Sequence, residues 1–183
     1  MAYLFAFCRL LTGIVFLMSA VSKLRGRAAY EEFTAATRAL VRLPSRPVAA
    51  LVVAAEIAVA PLLAWRPTVL AGFCVALGLL VAFTAAIVVA LRRGRRVSCR
   101  CFGASAVPVG AGHLARNAVL IVAAAAGAVQ AGAGGVQAGA GAVFAGLGPA
   151  GLAAVALAAG AVAVLLSAIG EIAGLFTSSS RRR

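Results

Sequence analysis

The chain has 183 residues, 64% of them hydrophobic and only 11% charged, with a net charge of +13. An ordinary soluble domain is about 45–50% apolar and roughly 25% charged, so a water-soluble core is excluded for most of this sequence, whose mean hydropathy is +1.08. The positive charge lies in blocks between apolar runs, which argues against nucleic-acid binding and for membrane topology.

The first apolar run, residues 3–24, reads YLFAFCRLLTGIVFLMSAVSKL. It exceeds the roughly 20 residues that cross a bilayer. No Lys or Arg precedes it, while Lys23, Arg25 and Arg27 follow; this reverses the pattern of a secretory signal and predicts an uncleaved span. In the polar segment 26–46, Tyr30, Phe33, Thr34, Thr37, Leu40 and Val41 recur at helical spacing. That predicts a short amphipathic helix lying on the membrane surface. Pro44 and Pro47 punctuate the entry to a second span, about 48–65, which Trp65 closes at interface depth. Arg66-Pro67 makes a tight turn into a third span, about 68–91.

A basic segment follows, and then a fourth span at about 113–129. Residues 130–148 are low-complexity Gly and Ala; VQAGAG occurs twice, from Val129 and from Val136, and the composition reads as a flexible connection. The fifth span, about 149–172, is rich in Ala and Gly, which suits close helix packing. A basic polar tail, 173–183, ends in Arg181, Arg182 and Arg183. The fold expected is an all-α polytopic bundle over residues 1–172, with a four-helix core and a C-terminal span.

Charge orients these spans. Lys23, Arg25, Arg27, Arg38, Arg42 and Arg46 flank the first connection, and Arg92, Arg93, Arg95, Arg96, Arg100 and Arg116 flank the third. Together with the three arginines of the tail they oppose Arg66 alone on the alternate connections. The positive-inside rule then places the N-terminus outside, the C-terminus inside and the 92–112 connection in the cytoplasm.

That connection holds the chemistry. Cys99 and Cys101 are spaced C-x-C, with Arg95, Arg96 and Arg100 beside them. Positive charge favours the thiolate, the reactive form, and a C-x-C disulfide is small, strained and therefore labile. A dithiol–disulfide switch is the leading reading, ahead of a non-enzymatic assembly scaffold with a metal-binding C-x-C and of a small-solute transporter resting on Glu56 and Arg9. Two thiolates with His113 could instead hold Cu(I) or Zn, although a structural zinc site wants a fourth ligand. Cys8 and Cys74 fall inside apolar runs and read as small packing residues. Glu56, near the middle of the second span, is an intramembrane carboxyl group, read either as a structural pairing group or as a group for proton or quinone chemistry. Counting depth along the helices suggests an Arg9–Glu56 pair. Lys23, Arg116 and Glu171 are expected near the inner face, with Asn117 available for hydrogen bonding between helices. No phosphate-binding loop, HExxH or GxSxG is present, and the redox reading admits a quinone as acceptor although no segment reads as a quinone site.

Three segments carry a resemblance: FCRLLTGIVFLMSAVSKL with Arg9, Gly13 and Lys23; AAEIAVAPLL around Glu56; and SCRCFG followed by LARNAVL. Over about residues 4–126 the chain resembles the methylamine utilisation protein MauE family, which is related to DoxX-like membrane proteins. The resemblance implies a bacterial-type plasma membrane protein of four or five helices with a redox association. In the named member that association is maturation of the disulfide-dense, periplasmic small subunit of methylamine dehydrogenase. It carries over onto Cys99 and Cys101 as the family's cysteines, Arg116-Asn117 as its RN and Glu56 as the acid of the second helix; beside it, charge reads Cys99 and Cys101 as the redox pair with Arg100 and Arg116 stabilising the thiolate. The implied partners are the bilayer and a thioredoxin-like or disulfide-containing client. The long Gly/Ala connection and the basic tail depart from the family pattern. A periplasmic client also calls for thiols on the outer face, whereas the charge count puts the pair inside.

Overall fold

The computed structural model describes residues 2–40, 45–93, 111–135 and 140–179. Among these there are six helices and no strand, as the composition predicts. They are α1 (Ala2–Leu24), α2 (Arg27–Leu40), α3 (Ser45–Ala64), α4 (Val69–Arg92), α5 (Ala111–Gln130) and α6 (Ala140–Ser179). Five of them are long and apolar enough to cross a membrane; the shorter α2 is the exception.

α1 packs against α3 and α5, and α4 packs against the same two helices from the far side. These four form a bundle in which α1 and α4 stand diagonally opposite; Phe5 and Phe73 meet across the diagonal with ring centroids 6.2 Å apart. α6 lies along α1 and touches α5, so α1 is enclosed on three sides. More than half of its apolar span is buried (56%), against 22–33% for the other four. Leu51, Trp65, Val122 and Leu157 point outward from the bundle, as side chains facing lipid would.

The α3–α4 connection follows from backbone accounting. The last four carbonyls of a helix have no intrahelical donor. At the end of α3 each finds one: Trp65 N–H donates to Pro61 O, Thr68 Oγ1 to Leu62 O at 2.8 Å, Arg9 Nε to Leu63 O, and Arg9 Nη2 to Ala64 O at 2.8 Å. A single 3₁₀ turn, Arg66–Thr68, then reverses the chain. Arg9 therefore fastens α1 to the end of α3, where its charge also complements the helix dipole.

α4 and α5 approach closely because residue 127 is glycine. A Cβ there would lie 2.3 Å from Cζ of the buried Phe73, so any side chain would displace the ring. Among the described residues, the Gly/Ala-rich stretch read above as a flexible connection is helical on both sides of 136–139. Ala131–Gly135 form a π-helical turn after α5, and α6 begins at Ala140. Alanine's helix propensity outweighs the glycines there. α6 bends at Gly148, whose φ of 64° and ψ of 167° are open essentially to glycine alone.

Candidate functional site

The buried ion pair of the bundle joins α1 to α3. Ser19 and Lys23 are four residues apart and so share one face of α1. Helical side chains lean toward the N-terminus, which sends the Lys23 ammonium back along α1 into the bundle. Its Nζ donates to Ser19 Oγ at 2.7 Å and to both carboxylate oxygens of Glu56, at 2.5 Å and 2.7 Å. Ser19 Oγ donates to Glu56 Oε1 at 3.1 Å. The Lys23 and Glu56 side chains are 1% and 0% exposed. All three donors of the ammonium are thus engaged within an apolar bundle, where an unsatisfied charge would be severely penalised.

Two aromatic rings close the site. Lys23 Nζ lies 4.7 Å from the ring centroid of Phe33 on α2 and 5.7 Å from that of Phe83 on α4, both within cation–π range. α2 reaches this position because its apolar face packs on α3: Phe33 clusters with Ala49 and Val53, with Tyr30 and Val52 against them. Of the amphipathic helix expected within residues 26–46, α2 forms Arg27–Leu40; its Phe33, Thr34 and Thr37 are buried and the face packs on the bundle, instead of on the membrane surface that the sequence predicts.

The Arg9–Glu56 pairing expected from depth counting does not occur. Arg9 sits level with Leu63 and Ala64. Glu56 lies seven residues back along α3, about 10 Å at 1.5 Å per residue. Lys23, expected only near the inner face, takes the carboxylate instead. The sequence-level clue was the Ser19/Lys23 spacing. Nothing in the sequence marks Phe33 and Phe83 as the rings that meet over the ammonium.

Arg116 is buried on α5, close enough to Lys23 for their charges to interact. It lines a small cleft between α1, α5 and α6 with Val15, Met18, Ala163, Leu166 and Ser167. The neighbouring Asn117 donates through Nδ2 to Thr84 Oγ1 of α4 at 3.2 Å, the interhelical bond expected of it. His113 is partly buried in the first turn of α5. Cys8 is buried in the core while Cys74 is exposed, and both are free thiols. Cys99, Arg100 and Cys101 lie outside the described residues, as does the side chain of Glu171. The chain leaves α4 and re-enters α5 at the end of the bundle where α1 carries Lys23. Among the described residues, no group of three His, Cys, Asp or Glu could hold a metal ion.

No curated protein and no solved structure matches the chain. The family model described as methylamine utilisation protein MauE matches residues 1–130, which take in α1 to α5 and the C-x-C segment but stop short of α6. On that match, with five apolar helices long enough to span a bilayer, the chain is an integral membrane protein that belongs to the MauE family.

Proposed function

We propose that this protein is a membrane-bound thiol–disulfide exchange partner with Cys99 and Cys101 as its exchanging pair. The observation that carries the reading is that the family match runs through this C-x-C segment, in which three arginines neighbour the thiols and favour the thiolate. Arg100 acts as the nearest such charge, and Arg116 adds buried positive charge in α5. In the reaction, one thiolate attacks a client disulfide to give a mixed disulfide, and the client's other sulfur leaves as a thiolate. The second cysteine of the pair then displaces the client. Two electrons pass to the client while the pair closes into its own disulfide; run backwards, the same steps oxidise a client dithiol. The family's name makes methylamine utilisation the natural setting for such a client.

The test is labelling with a membrane-impermeant maleimide in intact cells and inverted vesicles, in a C8S/C74S background. The expected result is labelling of Cys99 and Cys101 only after reduction, from one side of the membrane. Free labelling without reduction, and no oxidation under mild oxidant, would leave the pair as plain thiols or metal ligands and end this reading.

A further inference from the structure

The exchange chemistry of the C-x-C pair makes no use of Lys23 and Glu56. Apolar residues of the same volume often close a bundle at equal or lower free energy than a buried ion pair, because two charges must be withdrawn from water. Within a membrane that penalty argues for a role beyond fastening. The position of Lys23 adds to the argument. It is the penultimate residue of α1, beside the exposed Leu24 and Arg25, where a lysine ordinarily extends outward to the headgroups. It turns back to Ser19 and Glu56 instead. On the α2 side the Phe33 ring lies 4.7 Å from its Nζ. The opposite face of α2 carries exposed Glu31 and Glu32, two carboxylates directly before Phe33 in the chain.

We infer that the Lys23–Glu56 pair is a proton-binding site inside the bundle, loaded from the end on which α2 packs, with Phe33 over the ammonium. One proton from water outside α2 adds to a Glu56 carboxylate oxygen. The carboxylate becomes a carboxylic acid, Lys23 remains an ammonium, and the charge of the pair passes from zero to +1; release reverses the step. Ser19 Oγ, 2.7 Å from Lys23 Nζ, keeps an acceptor on the ammonium while Glu56 is neutral. On α5, Arg116 is close enough for its charge to act on Lys23. α2 and α4 turn Phe33 and Phe83 toward it. This site stands whether or not Cys99 and Cys101 exchange.

The test is infrared difference spectroscopy of the full chain in lipid nanodiscs, stepped between neutral and acid pH. The expected result is a carboxylic-acid C=O band that is lost in E56Q and retained in C99S/C101S. In F33A its shift on transfer to D2O should be complete sooner than in the parent protein. Should E56Q fail to fold, the K23M/E56M double variant supplies the same comparison. A spectrum unchanged by removing Glu56 would overturn the proton site. An F33A variant that exchanges no faster would overturn the role of α2 as its cover.

Discussion

Removing Lys23 alone leaves Glu56, 0% exposed, without its counter-charge. Breaking one side of a buried ion pair typically costs about 3–5 kcal/mol, whereas replacing both sides with apolar groups is often neutral or stabilising. K23M is therefore expected to lower membrane yield and melting temperature sharply, and K23M/E56M to recover most of both. Thermal unfolding of the three proteins in one detergent checks this. A double variant as unstable as K23M would mean that the charges themselves hold α1 to α3. At this scale Glu56 was legible in the sequence, because a lone carboxyl in an apolar run has few explanations. Its partner was not. Arg9 and Lys23 are both bases on α1, and only the register between the helices separates them.

At the scale of the element, the end of α3 depends on a side chain from another helix. The Arg9 guanidinium spans two successive carbonyls, Leu63 O and Ala64 O. Lysine keeps the charge but offers a single point rather than a planar fork. R9K is expected to leave at least one of these carbonyls without its donor, at about 1–3 kcal/mol for a buried unsatisfied group. Melting of R9K against the parent protein measures it, and an unchanged transition would show that water or lipid headgroups replace the fork. The amphipathic pattern of α2 was readable, since Phe33, Thr34 and Thr37 follow helical spacing. That Phe33 would lie over a lysine was not, because a pattern identifies an apolar face and leaves its contacts undetermined.

At the scale of the whole molecule, the distribution of arginine and lysine makes a directional prediction. Arg25 and Arg66 are both exposed and lie at opposite ends of the bundle, Arg66 beside the Arg9 end of α3 and Arg25 beyond Lys23. With other cysteines removed, R66C is expected to react with an impermeant maleimide on intact cells, and R25C only in inverted vesicles. The opposite pattern would invert the topology and move the 94–110 segment to the outer face, where a periplasmic client could reach it.

By itself the sequence determined an all-helical membrane bundle of five spans, an amphipathic helix after the first, and an intramembrane acid on the second. These follow from composition and periodicity, which are properties of single segments: apolar length dictates a span, and spacing dictates a face. Tertiary structure alone decided that α1 is the central helix, that α6 lies along it, and that Phe73 packs on Gly127. It also decided that Glu56 meets Lys23 while Arg9 fastens the end of α3. Each of these depends on the register and lateral order of helices. In a chain whose five spans are all strongly apolar, shape and a few hydrogen bonds set that order, and neither is written in any one segment.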